Sequence, residues 1–268
     1  YGDHRDLHVR SRRQRQMCIR DSYIFEKYRK DEKPVQLKYE QPKYFGQGAK
    51  SLKSIKKVSS LKLDHPVRQW ITERKIPSQY HYLLYYAPKF YQWVNTIIEN
   101  KFPSLHKDHP RLVIPFFENN NMFALQGRAF GNEEPKYITI KIQDKEKIYG
   151  LERVDWKKTV YVCEGPLDSL FVENCIATAQ SDLRIPHEGA VLIPDNEPRN
   201  LEIVKQIRKY VEEDYSVVLW PDYVKEKDIN EMIIKGKTRR EIKTIIDEHT
   251  YSGLNARIKF AKWSKING

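Results

Sequence analysis

Beyond Gly150 the chain alternates short apolar strands with amphipathic helices, and that alternation leaves few folds open. Residues 159–163, 190–194 and 216–220 are apolar runs of strand length, while residues 166–174, 198–213, 230–235 and 238–249 carry helical spacing. Strands that are apolar throughout, separated by helices, predict a parallel sheet covered by helices on both faces. Functional groups in such sheets gather at the carboxyl ends of the strands.

Acidic residues stand at those ends. Glu164 follows the first strand, with Gly165, Pro166 and, one helical turn on, Asp168. Asp195 and Glu197 follow the second, and a short Lys-bearing loop after the third leads to Lys227-Asp228-Ile229-Asn230-Glu231. Each acid also has a structural use. Glu164 can sit at a helix N-terminus, Asp195 can cap a helix ahead of Pro198, and Asp228 can cap the next one. Together, though, three strand ends bring several like charges to one rim. Divalent cations make such a rim tolerable, and Mg²⁺ favours a few carboxylates completed by water and substrate phosphates.

Upstream, Val67, Trp70, Ile71 and Arg74 recur at helical spacing over residues 64–75, with Asp64 as the expected cap just before Pro66. Residues 80–100 are dense in aromatics, which at this spacing are read as core rather than as a stacking surface for single-stranded bases. Residues 111–117 and 122–128 form an expected hairpin around Asn119, Asn120 and Asn121, and residues 137–142 alternate like a further strand. The whole reads as a small mixed α+β unit. Residues 23–60 are Lys-rich, punctuated by Pro34, Pro42, Gly46 and Gly48, and read as a linker. Residues 1–22 show no period and are set aside, the more so because 11–22 resemble translated sequencing-adaptor sequence.

Charge is unevenly spread. The net charge is +12, and residues 1–60 hold sixteen Lys or Arg against seven Asp or Glu. Such an arm suits a polyanion, or it is a solvated linker. The three cysteines, Cys18, Cys163 and Cys175, are too few and too irregularly spaced for a disulfide framework or a four-ligand zinc site. No apolar run approaches the roughly 18 residues of a membrane span, so a soluble, intracellular protein with no membrane partner is expected. A composition of 40% hydrophobic and 31% charged residues is that of a globular chain.

Val162-Cys163-Glu164-Gly165-Pro166-Leu167-Asp168 resembles the first Toprim motif, an apolar strand followed by Glu-Gly-x-x-Asp. Asp195-Asn196-Glu197 stands where Toprim enzymes carry Asp-x-Asp, and Lys227 to Glu231 resembles the Lys-Asp-x-Asn-Glu segment of phage primase-helicases. Upstream, Leu84-Tyr85-Tyr86-Ala87-Pro88, the Pro-Phe strand ending at Phe116, Gln126-Gly127-Arg128, Pro135-Lys136-Tyr137 and Ile148-Tyr149-Gly150-Leu151 resemble, in order, elements of bacterial replicative primases. The resemblance covers residues 64–234 and is to Toprim-containing DNA primases, in their phage branch. It departs from the family at Glu197, Gln126 and Asn230, which replace Asp, Gly and Asp.

The resemblance implies an α/β fold: a Toprim domain, with helices on both faces of a parallel sheet, preceded by a small mixed α+β primase subdomain. The implied division is a non-native or disordered segment 1–22, a basic linker 23–60, the subdomain 61–150, the Toprim domain 151–250 and a C-terminal helix 251–268. It implies template-directed synthesis of short RNA primers on single-stranded DNA, with Mg²⁺ or Mn²⁺ held by Glu164, Asp195, Glu197 and Asp228. Glu164 would serve as ligand or as acid/base group, with Asp168 in support. Arg128, Lys136 and Lys227 would face template or nucleotide. Implied partners are single-stranded DNA, ribonucleoside triphosphates and a replicative helicase, in the cytoplasm of a bacterial host. Two alternatives stay open at this point: a Toprim nuclease using the same metal, and a non-catalytic module of a replisome that binds single strands. Relatives of this kind carry an N-terminal zinc ribbon, which is expected to be absent here, leaving a chain that holds no zinc, extends a supplied primer and initiates poorly.

Overall fold

The computed structural model describes residues 47–266. The adaptor-like segment 1–22, with Cys18, and the linker as far as residue 46 lie outside the described residues. Those described belong to one compact unit built on two five-stranded sheets.

The first sheet is antiparallel, with β1 (Lys56–Lys57), β2 (Tyr85–Ala87), β3 (Arg111–Glu118), β4 (Asn121–Ala129) and β5 (Tyr137–Lys141) adjacent in chain order. The expected hairpin is β3–β4. Its two turn residues, Asn119 and Asn120, have φ of 48° and 63°, the left-handed values that a tight two-residue turn requires and that Asn tolerates. Helix α1 (Gln47–Leu52), helix α2 (Pro66–Glu73) and helix α3 (Phe90–Asn95) accompany this sheet. Gly127 in β4 has no room for a side chain, because a Cβ there would overlap the Phe90 ring.

Two expectations need correction here. Residues 47–60 are not linker: Leu52 and Val58 are buried, and β1 pairs with β2. Leu52, Val58 and the half-buried Ile55 suffice to anchor a segment whose composition alone reads as solvated. The cap of α2 is His65, whose ring nitrogen accepts from the Val67 N–H at 3.2 Å, and not Asp64, which lies one residue too far out. The aromatic segment folds as a 3-10 turn, strand β2 and helix α3, and Tyr85, Phe90 and Trp93 are core as expected.

The second sheet runs β10-β9-β8-β6-β7, with β6 (Tyr161–Cys163), β7 (Cys175–Ala177), β8 (Val191–Ile193) and β9 (Ser216–Val218) parallel and β10 (Thr250–Tyr251) antiparallel at the edge. Alternate residues along these strands face opposite layers. Val162, Leu192 and Val217 pack with helix α4 (Leu201–Glu212) and helix α7 (Gly253–Trp263). Cys163, Val191, Ile193 and Val218 pack with helix α5 (Ile229–Ile234), helix α6 (Arg239–Glu248) and residues of the first sheet such as Ile114 and Phe116. The two sheets therefore share one core.

Residues 166–174 do not form the expected helix. One 3-10 turn, Asp168–Leu170, is followed by Asn174 at φ 53°, which reverses the chain into β7. Three apolar residues, Cys175 to Ala177, are too few to stand out as a strand beside the helix-like run that precedes them. Helix α4 starts later than expected, at Leu201 rather than Pro198, because Asn200 provides the cap.

Candidate catalytic site

The turn after β6 carries the first acids. Gly165 must lack a side chain, since a Cβ would fall on the Asp168 carboxylate. That carboxylate accepts the Asn230 backbone N–H at 2.8 Å. Asn230 in turn exchanges two hydrogen bonds with Arg74, accepting from the guanidinium and donating to the carbonyl, each at 2.8 Å. The end of α2, the turn after β6 and the start of α5 are thereby locked together.

The loop after β8 carries the next pair. Asn196, between Asp195 and Glu197, donates its backbone N–H to the Lys227 carbonyl at 2.7 Å and its amide to the carbonyls of Val224 and Glu226. It fixes the third acidic loop against the second. Asp195 is not a helix cap, since that place belongs to Asn200. Asp228 does cap α5, accepting from the Glu231 N–H at 2.7 Å, so its structural use and its place on the rim coexist. Lys227 lies against the acids: its ammonium is 2.7 Å from Glu197 Oε1 and 3.8 Å from Asp195 Oδ2.

Crowding shows in the proton affinities. Burial, then the Glu164 and Asp168 charges, push the Asp195 carboxyl up to about 7, with Lys227 pulling the other way. Burial and the Asp228 charge likewise raise Asp168 to about 7, against the Asn230 N–H and Arg128. Glu164 is raised mainly by burial. At Glu197 burial works upward, but the hydrogen bonds from Lys227 and Asn200 outweigh it and leave the carboxyl low.

Asp168 and Asp228 line a cleft of about 220 Å³ that is otherwise cationic, lined also by Arg74, Arg128 and Lys136, with Lys227 beside Asp228. Arg128 is only 5% exposed and ion-pairs with no carboxylate among the described residues. Its guanidinium rests over Trp70 at 5.2 Å and over Tyr137 at 4.8 Å, and burial together with the Arg74 charge lowers its pKa to about 10. Lys136 is exposed at the mouth. Of the expected site residues, the cleft unites Arg128, Lys136, Asp168, Lys227 and Asp228. Glu164, Asp195 and Glu197 stand on the adjoining rim. Sequence reasoning missed Arg74, whose signal was its position four residues after Trp70 on one helix face. The guanidinium lies 4.3 Å over that ring.

Among the described residues no three Asp, Glu, His or Cys side chains converge into a closed metal cage. The donor set nevertheless fits a hard cation bound openly. Its donors are carboxylate oxygens on three strand-end loops, crowded together and neutralised in part by Lys227, and Mg²⁺ keeps several waters and binds through one or two carboxylates plus phosphate. Cys163 and Cys175 are buried, with their sulfurs 3.8 Å apart, and take no part in the rim. No helix of the described residues is long and apolar enough to cross a membrane.

An antiparallel sheet packed on a Toprim-type α/β sheet, with acids at its strand ends facing an arginine-lined cleft, defines the class of primase catalytic cores. No family model matches the chain. The fold recurs in a crystal structure of the zinc-binding and RNA-polymerase domains of the Aquifex aeolicus primase, at TM-score 0.53 and 19% identity over 81% of this chain and 65% of that one. It also recurs in the DnaG primase catalytic domain bound to single-stranded DNA, at TM-score 0.56 and 12% identity over 79% and 80%. This chain thus spans just under two thirds of the Aquifex chain. The DNA primase of Enterobacteria phage T4 is 37% identical over 262 residues, 91% of this chain and 74% of that protein's length. The chain belongs to the DNA primase family.

Proposed function

We propose that this chain synthesises short RNA primers on single-stranded DNA during phage replication, as a template-directed nucleotidyltransferase using the rim and cleft described above. The observation that carries the reading is the facing of a carboxylate rim by a fixed cationic wall, the two charge patterns that a metal-dependent phosphoryl transfer needs side by side. In the reaction the 3′-hydroxyl of one ribonucleotide forms a bond to the α-phosphate of the next, the bond to pyrophosphate breaks, and the hydroxyl proton departs.

Divalent ions, Mg²⁺ or Mn²⁺, held by Asp195, Glu197, Asp228 and Glu164, would lower the pKa of the attacking hydroxyl and offset charge on the leaving oxygens. Glu164 is the candidate to accept that proton, being half-buried with a raised carboxyl. Arg74 and Arg128, their planes fixed against Trp70, would meet the triphosphate with a preset geometry that a lysine cannot supply. Lys136 and Lys227 add charge at the mouth of the cleft. Asp168 acts through Asn230, setting where α5 and Arg74 sit. Partners on this reading are a single-stranded DNA template, ribonucleoside triphosphates and a replicative helicase in the host cytoplasm.

The test is incubation with single-stranded DNA, Mg²⁺ and labelled ribonucleotides, followed by sizing of products. Short, alkali-sensitive products that require ribonucleotides and template support the proposal. Nucleotide-independent shortening of the DNA would point instead to a nuclease. Binding of DNA without any product, unaffected by loss of Glu164, would point to a non-catalytic module.

A further inference from the structure

Beside the acidic rim lies a second concavity, and none of the roles above uses it. This groove encloses about 650 Å³, roughly three times the cleft, between the loop that follows Glu197 and the loop that follows β9. Trp220, Pro221 and Trp263 wall it, and Arg199, Lys225 and Lys265 edge it. The side chains of Arg199 and Lys225 are exposed and pair with no carboxylate among the described residues, whereas Lys265 lies 3.4 Å from Asp222. The Trp220 indole donates to the Pro194 carbonyl at 2.8 Å, but the buried Trp263 indole N–H has no acceptor. The groove and the cleft meet at the rim: Glu197 lines the former, Lys227 lines the latter, and the two are ion-paired.

We propose that this groove holds the 3′ end of the growing RNA strand, presenting its terminal hydroxyl to Asp195 and Glu197 from the side opposite the incoming nucleotide. The inference rests on the primase reading. Nucleotidyl transfer requires two nucleotides to approach one acidic centre from different directions, and the structure offers two concavities there of different character. The smaller has two arginines stacked on Trp70, one of them buried, which suit a compact triphosphate of high charge. The larger has flexible, dispersed surface cations and apolar walls, which suit a chain with one phosphate per nucleotide and sugar or base faces to pack.

The experiment uses the full chain and the double variant Arg199→Ala/Lys225→Ala. The probes are a fluorescein-labelled pentaribonucleotide, a labelled DNA strand and a primed template for extension. Expected are a loss of RNA affinity of about tenfold and a salt-dependence slope shallower by about 1.4, two contacts at about 0.7 each on a single strand. The KM for primer should rise with the KM for nucleotide and the thermal midpoint unchanged, and Arg199→Lys should recover part of the affinity. Unchanged RNA affinity and primer KM would overturn the inference while leaving the primase reading intact. So would loss of DNA affinity with RNA affinity retained, which would assign the groove to template. If the unmodified chain extends no RNA at all, the primase reading fails and the inference fails with it.

Discussion

Replacing Asp195 by Asn should make the metal-free protein more stable, and the structure gives the size and pH range of the effect. The Asp195 carboxyl is half-buried among like charges and titrates at about 7 rather than at its ordinary 3.8. At 1.36 kcal/mol per pH unit, ionising it in the folded state at pH 8 costs at most about 4 kcal/mol. Asn retains the burial but not the repulsion, and Lys227 loses one of two partners, so a net gain of about 1–3 kcal/mol is expected. For a unit of this size that is a rise in midpoint of several degrees, at about 2–4 °C per kcal/mol. The sign follows from a folded pKa above the unfolded one: wild-type stability in chelator falls as pH climbs from about 4 to about 7, and the cost persists above that. The variant lacks this part of the slope, so the two curves should separate at pH 8 and converge near pH 4. Thermal unfolding followed by circular dichroism in EDTA, at pH steps between 4 and 8, reads this directly. Added Mg²⁺ at pH 8 should then raise the wild-type midpoint, since an ion bound only to the folded state stabilises it, and raise the variant's much less. An Asp195→Asn protein less stable than wild type at pH 8 in EDTA would refute the reasoning.

Other outcomes follow from particular contacts. Gly165→Ala should displace the Asp168 carboxylate, cost about 1–3 kcal/mol and lower RNA synthesis at least tenfold, read by denaturant titration and product sizing. Asn196→Ala removes the two side-chain hydrogen bonds between acidic loops, leaving the backbone bond to Lys227, and should cost about 1–3 kcal/mol, with a weakened Mn²⁺ affinity measurable by electron paramagnetic resonance. Arg128→Ala should raise the KM for nucleotide or weaken template binding with a shallower salt dependence, and Arg128→Lys should not restore it, because an ammonium lacks the planar stack on Trp70 and Tyr137. A large stability loss with activity per folded molecule intact would instead make Arg128 a packing residue.

What could be read from the chain beforehand depended on how much of each signal is local. The apolar runs ending at Cys163, Ile193 and Val218 are strands because such short apolar runs between helices suit a covered parallel sheet. Glu164, Asp195 and Glu197 follow the first two within four residues while Asp228 lies beyond a short loop, so the parallel sheet and its rim were legible. Strands β7 and β10 were not, since three and two residues carry no period and their pairing comes from neighbours distant in the chain. The cap at His65 was hidden because Asp64 offers a better intrinsic capper one residue earlier, and only the position of Pro66 at the first helical turn decides between them. Arg74 and Asn196 escaped for the same reason. Each acts through bonds to residues far along the sequence, Asn230 for the former and Val224 and Glu226 for the latter. Lys227, expected to reach for nucleic acid, is held by Glu197 in this structure, a pairing that spacing alone does not disclose.

The central claim is that the strand-end acids form the centre of RNA synthesis. Its most direct test compares wild type with Glu164→Gln on single-stranded DNA with Mg²⁺ and labelled ribonucleotides, with folding of both verified by thermal melting. The account predicts short RNA products from wild type and none above background from the equally stable variant. Near-normal RNA synthesis by Glu164→Gln would contradict it.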